Sequence, residues 1–237
     1  MSGLRSTRST RNALLAVPLV LGLVAVGAVP AAAAAAAAAV AGQPSRTAGA
    51  SGAAHPGNSL ICGGKGVDPD ARVRHRTGTV IHAPLHTVWK LQTDVEDWPS
   101  WQTPVEAVDR LDHGPLRRGS AFRWTTPIPP NPSTPATSLE ITSTVRQIER
   151  GACIRWTGPA VGEGLHIDGV HVWTFTKVRG GVRVTTEETH TGPQVDADVP
   201  TATRILAEGL EAWLHQLKSA AEARAHDGGS PGRPASS

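Results

Sequence analysis

The chain has 237 residues, of which 18% are charged, with 23 basic against 20 acidic side chains and a formal net charge of +3. Three of the basic residues and none of the acidic ones lie in residues 1–41, so the rest of the chain is neutral. Because nucleic-acid binding needs a clustered basic face, this balance excludes nucleic acid as the predicted partner.

Residues 1–41 have the pattern of an export signal. Arg5, Arg8 and Arg11 precede an uncharged apolar run over 13–29, and an alanine tract ends in an A-x-A sequence at 39–41. We therefore predict a signal peptide and a secreted or cell-surface tethered protein. The alternative is an uncleaved N-terminal anchor, because residues 13–41 are long enough to cross a bilayer. That anchor would be the only predicted membrane contact.

Residues 42–75 are predicted to form a disordered linker, because the stretch 42–72 is rich in Gly, Ala, Ser and Pro and has scarcely any large apolar residue. The linker contains Cys62, whereas Cys153 falls in a predicted strand. An exported protein with two cysteines allows a disulfide between them. The alternative is a small buried Cys153 and an unpaired Cys62.

Residues 76–225 are predicted to form one folded domain. Runs of β-branched and aromatic residues predict strands at 77–81, 105–111, 120–126, 139–148, 152–157, 167–177 and 182–190. Gly151 and the Gly180-Gly181 pair indicate hairpin turns. A short helix is predicted at 84–91, and Trp98 and Trp101, in the segment 94–101, are expected to plug one end of the core. The proline-rich stretch 127–135 is predicted to be a stiff loop, because proline cannot donate to a β-ladder.

The last helix, predicted over 199–224, is the element around which the domain is organised. Asp198 is a suitable N-cap, and Pro200 lies in the first turn, where a missing N–H costs nothing. The apolar positions form one stripe: Leu206, Leu210, Trp213, Leu214, Leu217 and Ala221. We therefore predict an α+β fold in which a curved antiparallel sheet of six to seven strands grips this helix. Residues 226–237 are predicted to be a disordered tail.

Several ordered segments resemble the helix-grip (START-like, SRPBCC) superfamily, in its polyketide cyclase/dehydrase and lipid-transport branch. The segments that carry the resemblance are VIHAP at 80–84, TDVEDWPSW at 93–101, GSAFRW at 119–124, IRWTG at 154–158, HVWTF at 171–175 and the strand over 182–192. The resemblance implies a seven-stranded antiparallel sheet around a C-terminal helix, with two short helices after the first strand. It also implies an apolar cavity for lipids, polyketides or other ring-bearing compounds, and its members include both carriers and cyclases.

Aromatic and aliphatic residues on the expected inner faces are candidates for the cavity wall. They are Phe122, Trp124, Trp156, Trp173, Phe175, Leu206, Leu210 and Trp213. Ordinary core packing is the alternative for the tryptophans. Phe122 and Trp124 share one face of their strand by its period of two.

Two polar residues are candidates for chemistry in that cavity. Glu188 alternates with Val182 and Val184, so it is expected on the inner face, where burial would raise its pKa and make it an acid, a base or an anchor for a ligand hydroxyl. Its alternatives are solvation at the strand end or pairing with an arginine. His171 is a candidate donor or general acid, and the alternative is a hydrogen bond within the sheet.

No metal and no cofactor are predicted. His166, His171 and His190 lack a tight ligand spacing, and no dinucleotide or phosphate-binding fingerprint occurs. The first hypothesis is an exported protein that binds a small hydrophobic molecule. The alternative is a polyketide cyclase or dehydratase in which Glu188 and His171 act as acid and base.

Overall fold

The computed structural model describes residues 59–130 and 135–228. The strands are β1 (Val73–Ile81), β2 (Ala107–Arg110), β3 (Ala121–Ile128), β4 (Thr137–Glu149), β5 (Cys153–Gly162), β6 (Leu165–Val178) and β7 (Gly181–Thr191). The helices are α1 (Leu85–Thr93), α2 (Pro193–Ala197) and α3 (Val199–Gly228), and a 3₁₀ helix (Val95–Ser100) follows α1. The described strands form one antiparallel sheet in the order β1-β7-β6-β5-β4-β3-β2. The predicted α+β helix-grip fold is therefore confirmed.

Glycines at positive φ make the tight turns that connect the long central strands. Gly151 has a φ of 74° between β4 and β5, and Gly180 has a φ of 79° between β6 and β7. Glycine adopts this conformation without the steric cost that a side chain adds. Both turns lie where the sequence predicts them, and they set the register that places alternate residues of β5, β6 and β7 on the inner face of the sheet.

The N-terminus of α3 is capped as the sequence predicts. The Asp198 carboxylate accepts a hydrogen bond from the Thr201 backbone N–H at 3.1 Å. Towards the C-terminal end of the helix, Leu214, Leu217 and Ala221 are buried in the main core beneath the sheet. The C-terminal half of α3 therefore packs directly against the rest of the domain.

Trp98, in the 3₁₀ helix, fills the space between α3 and the sheet at one end of the domain. Its side chain is completely buried. Four aromatic rings surround it, with centroid distances of 4.9 Å to Trp213, 5.3 Å to Phe122, 5.7 Å to Trp124 and 6.1 Å to Trp156. Because these rings come from both the helix and the sheet, Trp98 plugs the core in the way that the sequence predicts for the 94–101 segment.

Residues 59–72 pack on the outer face of the sheet, which corrects the prediction of a disordered linker over 42–75. Leu60, Cys62 and Val67 form an apolar cluster with Cys153 and Val172. Cys62 and Cys153 are joined by a disulfide, with their Cα atoms 5.5 Å apart. The amino-acid composition does not reveal that this segment is ordered, because its three apolar side chains bury little surface without the covalent bond.

A buried carboxylate also fixes this segment. Glu187 is 1% exposed and accepts a hydrogen bond from the Leu60 backbone N–H at 2.6 Å and one from Arg74 Nε at 2.6 Å. The Ser59 hydroxyl donates to the same carboxylate at 3.3 Å. Glu187 therefore points to the outer face, whereas its neighbour Glu188 points to the inner one, as the period of two requires.

Some predicted boundaries need correction. β1 begins at Val73 and not at residue 77, because Val73 is itself completely buried. Pro127 belongs to β3 and not to the loop: it pairs with Ser138 of β4, while β2 pairs no further than Thr125. The proline therefore faces an unpaired edge, where a missing donor is tolerated. The sequence did not predict α2, and α3 extends to Gly228, into the predicted tail over 226–237.

The signal peptide or anchor predicted for residues 1–41, the linker residues 42–58 and the tail residues 229–237 lie outside the described residues. Among the helices that the structure describes, none combines the length and the apolar composition that crossing a bilayer requires.

We predict that replacing both Cys62 and Cys153 by serine lowers the free energy of unfolding by about 4 kcal/mol, because the disulfide closes a loop with a sequence separation of 91. Denaturant unfolding followed by tryptophan fluorescence measures the change. As a control, a reducing agent should destabilise the wild type and leave the double variant unchanged. Equal stabilities of the oxidised wild type and the double variant would contradict the prediction.

Candidate functional site

A cavity of about 490 Å³ lies between the N-terminal half of α3 and the inner face of the sheet. Its volume is within the range of small-molecule sites. The sheet contributes mostly apolar lining residues, among them Trp124, Leu139, Ile141, Trp156, Ala160 and Ile167. The helix contributes Ala202, Ile205, Leu206, Gly209, Leu210 and Trp213. The described residues therefore enclose a largely apolar site at the end of α3 opposite to its tightly packed half.

Glycines in the sheet and in the helix line part of this space. Gly158 of β5 and Gly169 of β6 are directly paired, and both line the cavity. A Cβ atom added at Gly169 would lie 3.5 Å from a carboxylate oxygen of Glu188. On the helix side, a Cβ atom added at Gly209 would meet nothing within 4 Å. Larger residues at Gly169 or Gly209 would occupy the cavity from either wall. At Gly158, by contrast, an added Cβ atom would lie 2.0 Å from the Thr142 backbone carbonyl oxygen, so this glycine is required by the close approach of β4.

Two of the cavity tryptophans, Trp124 and Trp213, have their indole N–H groups paired with protein acceptors. Trp124 Nε1 donates to the Ser143 hydroxyl at 3.2 Å, and Trp213 Nε1 donates to the Gln92 side-chain oxygen at 3.1 Å. The two rings are 5.7 Å apart at an angle of 77°. Since their polar atoms are already paired, these side chains offer ring surface to a ligand, which favours flat or aliphatic molecules.

One carboxylate in the cavity wall lies between two imidazoles. Glu188 Oε2 is 3.2 Å from His171 Nδ1, and Glu188 Oε1 is 3.3 Å from His190 Nε2. On its other side, His171 Nε2 is 2.6 Å from the hydroxyl oxygen of the buried Thr186. These four residues form a chain of polar contacts in which Glu188, His171 and His190 line the cavity.

The protonation states of the chain follow from burial and proximity. Burial lowers the pKa of His171 to about 4, and the adjacent Glu188 opposes this shift only in part. For Glu188, burial acts to raise the pKa, but His171 and His190 outweigh it and hold the pKa below its usual value. The expectation of a raised pKa at Glu188 is therefore wrong, because the adjacent His171 and His190 together favour its charged form more than burial disfavours it.

At neutral pH, Glu188 is then an anion and His171 a neutral imidazole. An ionised carboxylate can only accept hydrogen bonds, so His171 donates from Nδ1 to Glu188, and its Nε2 accepts from the Thr186 hydroxyl. The carboxylate keeps lone pairs that face the cavity. The site can therefore accept a hydrogen bond from a ligand hydroxyl or amide, but it holds no imidazolium at His171 for acid catalysis.

The structure brings together most of the predicted site residues and separates three. Glu188 and His171 line the cavity, together with Trp124, Trp156, Leu206, Leu210 and Trp213. Phe122, Trp173 and Phe175 lie instead in the main core, 5% exposed or less. Strand alternation places all three on the inner face, as predicted. Alternation does not show at which point along each strand the helix and Trp98 close the space between helix and sheet. Phe122, Trp173 and Phe175 lie where that space is closed.

Sequence reasoning missed several lining residues. Leu139, Ile141 and Ser143 alternate along β4, so their shared face was available as a signal. The sequence suggests His190 only as a candidate metal ligand, although this residue alternates with Glu188 on β7. Gln102 lines the cavity from the segment after the 3₁₀ helix, where no periodicity indicates which way a side chain points.

Comparison with known proteins assigns the chain to a family. The profile of the family described as polyketide cyclase/dehydrase and lipid transport matches residues 72–222, which is more than half of the chain. The chain belongs to this family. The resemblance seen in the sequence is thus confirmed. Among curated proteins, no match was found.

Solved structures similar to this family member share its fold at low identity. A hypothetical protein, jhp0584, from Helicobacter pylori has a TM-score of 0.51 and 18% identity, with 65% of this chain and 91% of that chain covered. The di-domain ARO/CYC StfQ of the steffimycin biosynthetic pathway has a TM-score of 0.51 and 16% identity, with 65% and 52% covered. The Zhui aromatase/cyclase from Streptomyces sp. R1128 has a TM-score of 0.48 and 16% identity, with 67% and 98% covered. At these identities, the two structures with a TM-score of 0.51 indicate the fold alone.

The histidines considered for a metal site do not converge. His171 and His190 line the cavity, but His166 lies outside it and is 3.5 Å from Asp168 at the surface. Within residues 59–130 and 135–228, no group of three or more His, Cys, Asp or Glu residues is placed to hold a metal ion.

We predict that the stability of the family member falls as the pH is lowered from about 6.5 to about 4, because His171 stays neutral in the folded state while unfolded histidine becomes protonated. The sign follows from proton binding: over this interval the unfolded chain binds more protons, so acid favours unfolding. The maximum contribution of His171 is about 3 kcal/mol. Thermal unfolding from pH 7 to pH 4 measures it.

His171→Asn is the comparison for this prediction, because the asparagine side chain keeps a donor for Glu188 and does not titrate. Its melting temperature should depend less on pH than that of the wild type. Glu188 does not affect this comparison at pH values above the ordinary pKa of a glutamate. Its pKa is lowered in the folded state, so its contribution to stability is lost only at lower pH. Parallel curves for the two proteins would contradict the assignment.

Proposed function

We propose that this protein is an exported binding protein for a small hydrophobic molecule, such as a lipid, a polyketide or another aromatic compound. The cavity of about 490 Å³ between α3 and the sheet is the observation that carries the proposal. Its tryptophan and aliphatic walls supply apolar contact area, which is the main favourable term for such ligands. Membership of a family described by lipid transport agrees with this function.

The polar chain orients the ligand in this proposal. Glu188 is an anion whose two oxygens lie 3.2 Å from His171 Nδ1 and 3.3 Å from His190 Nε2, and it retains lone pairs for a ligand. A ligand hydroxyl that donates to Glu188 would fix one end of an otherwise apolar molecule. Small-molecule sites usually combine many apolar side chains with a few polar groups that orient the ligand and give specificity.

Two features support export. The leader pattern over residues 1–41 is that of a signal peptide. The disulfide between Cys62 and Cys153 is of a kind that persists in oxidising compartments and is rare where thiols are kept reduced.

The second candidate function is a polyketide cyclase or dehydratase that acts in the same cavity. The placement of the Glu188 carboxylate in the cavity wall favours it, since a carboxylate there can remove a proton from a carbon next to a carbonyl group. However, the pKa of Glu188 lies below its usual value and that of His171 is about 4, so neither group is matched to proton transfer near neutral pH. We therefore place binding first and catalysis second.

We predict that Gly209→Phe weakens the binding of an aromatic probe, 2-naphthol, by about tenfold or more. Gly209 lies on the cavity side of α3 with open space in front of it, so a ring at this position competes for the ligand volume. Isothermal titration calorimetry measures the affinity. Unchanged binding in the folded Gly209→Phe variant would contradict the proposed site.

Gly209→Ala is the matched control. A single methyl group leaves most of the cavity open, so affinity should change little. Since alanine favours the helix interior over glycine, this variant should be more stable than the wild type by about 0.5–1 kcal/mol.

For the second candidate, we predict that Glu188→Gln lowers turnover of a poly-β-ketone thioester by roughly 100- to 10,000-fold while binding is retained. The amide keeps the shape of the carboxylate but cannot act as a base. Glu208→Gln is the control, because Glu208 lines the cavity as an exposed residue paired with Arg204. Product formation followed by mass spectrometry distinguishes the outcomes, and equal turnover in the two variants would rule out Glu188 as the base.

A further inference from the structure

Two adjacent glutamates of β7 have their charges compensated in different ways. Glu187, on the outer face, is 1% exposed and accepts a hydrogen bond from Arg74 Nε at 2.6 Å. Glu188, on the inner face, contacts the imidazoles of His171 and His190 and no lysine or arginine of the described residues. Carboxylates removed from water are normally paired with a positive charge. The cavity carboxylate therefore has room for a cationic partner that its outer neighbour does not need.

The Glu188 side chain can be reached from the cavity. It is 18% exposed, and the residue lines the cavity. At neutral pH the carboxylate is ionised, and the neighbouring His171 is a neutral imidazole because burial lowers its pKa to about 4. A ligand in the cavity thus meets an accessible anion.

Gly169 of β6 leaves one oxygen of this carboxylate uncovered. A Cβ atom added at Gly169 would lie 3.5 Å from Glu188 Oε1 and 3.8 Å from His190 Cδ2. These are ordinary van der Waals distances, so a methyl group would fit here and would cover the oxygen. Because Gly169 itself lines the cavity, its missing side chain gives a ligand group an approach to Oε1.

The other charged lining residues also favour a cation. Three of the described lining residues are acidic, namely Glu188, Asp198 and Glu208, whereas Arg204 is their one arginine, and they include no lysine. Arg204 is 58% exposed and pairs with Glu208 at 2.9 Å, so its charge is already compensated at the surface. A carboxylate ligand would meet like charge inside an apolar site, which is unfavourable.

Aromatic rings lie close to the carboxylate. The Trp156 ring lies 5.4 Å from the His171 imidazole, which in turn contacts Glu188. Trp124 and Trp213 line the same cavity. Tryptophan faces attract cations and also supply apolar contact area. The walls thus suit a molecule with a positively charged head and an apolar body.

We propose that the cavity selects an amphiphilic amine, whose ammonium group reaches Glu188 Oε1 over Gly169 and whose apolar body lies against the tryptophans. This inference rests on the proposed binding function and narrows its ligand class to organic cations, at the expense of fatty acids and other carboxylates. The desolvation of the carboxylate is already complete in the folded protein, so the ligand adds only the cost for its own ammonium group.

The test compares four naphthalene probes of similar size: 2-(aminomethyl)naphthalene, 2-(hydroxymethyl)naphthalene, 2-ethylnaphthalene and 2-naphthoate. Equilibrium dialysis at pH 8, where an ordinary histidine is neutral and a primary alkylamine is protonated, measures the affinities. The wild type should bind the amine at least about tenfold more tightly than the hydrocarbon, because a hydrogen bond between charged groups is stronger than one between neutral groups. The alcohol should lie between them, and 2-naphthoate should bind most weakly.

Glu188→Gln should lower the ratio of amine to hydrocarbon affinity by about tenfold, because it removes the negative charge and keeps the shape of the side chain. Glu208→Gln is the matched control. Glu208 also lines the cavity, but it is exposed and paired with Arg204, so this variant should keep the ratio of the wild type.

Gly169→Ala tests the approach to Oε1 without changing any charge. Its methyl group should cover the oxygen and lower the ratio of amine to hydrocarbon affinity by about fivefold or more. Gly209→Ala adds the same methyl group on the helix wall, where an added Cβ atom meets nothing within 4 Å, and should keep the ratio. Thermal unfolding of each variant checks that it is folded.

The outcomes separate this inference from the proposed function. If the probes bind and the amine is not preferred, or if the preference survives in Glu188→Gln or in Gly169→Ala, the inference is wrong and the binding function stands. Tighter binding of the alcohol or of 2-naphthoate than of the amine also overturns it. If none of the four probes binds the wild type, the proposed function fails together with the inference.

A crystal structure of the wild-type protein with 2-(aminomethyl)naphthalene keeps the test independent of the variants. It should place the ammonium nitrogen within hydrogen-bond distance of Glu188 Oε1, with the naphthalene ring in the cavity. An ammonium group that pairs elsewhere would overturn the inference even if a variant failed to fold.

Discussion

The cavity depends on the way in which Trp98 separates α3 from the sheet. This residue packs edge-on against Trp213 of the helix and two rings of β3, and at a tilt against Trp156 of β5, so it fixes the distance between the two layers at one point. On one side of that point, Leu214, Leu217 and Ala221 close the core. On the other side, the helix cannot approach the sheet more closely, and glycines in both layers leave the space open.

The polar chain in the wall shows how an ionised carboxylate is kept in an apolar site. Glu188 contacts the imidazoles of His171 and His190, and His171 is in turn hydrogen-bonded to the Thr186 hydroxyl. Each bond offsets part of the desolvation that burial imposes. The same bonds lower the pKa of Glu188, so the arrangement favours a fixed anion over a group that exchanges protons at neutral pH. This electrostatic balance is the physical reason for preferring a binding protein to a catalyst.

Periodicity in the sequence predicts the fold and much of the cavity wall, because it shows which side of a strand or helix faces inward. The stripe on α3, the hairpin glycines and the inward position of Glu188 all follow from this signal. Periodicity carries no information about depth along an element, which is why Phe122, Trp173 and Phe175 were assigned to the cavity while the structure buries them in the core. It is also silent in segments without regular structure, such as the one that places Gln102.

The order of residues 59–72 was equally hidden, because it depends on contacts distant in the chain: the disulfide to Cys153 and the buried carboxylate of Glu187. Composition indicates only whether a segment could fold by itself. Residues 59–72 are held by the outer face of a sheet that forms from later residues. The sequence allows a Cys62–Cys153 disulfide, but it does not decide between a paired and a free Cys62.

The disulfide also gives the chain a closed covalent ring that runs from Cys62 through β1, α1, β2, β3 and β4 to Cys153. Any single cut by a protease within this ring leaves both fragments attached to each other. Under the proposed export, a molecule cut once by an extracellular protease would still carry all the strands of its sheet. The disulfide thus keeps the walls of the cavity together after one cleavage event.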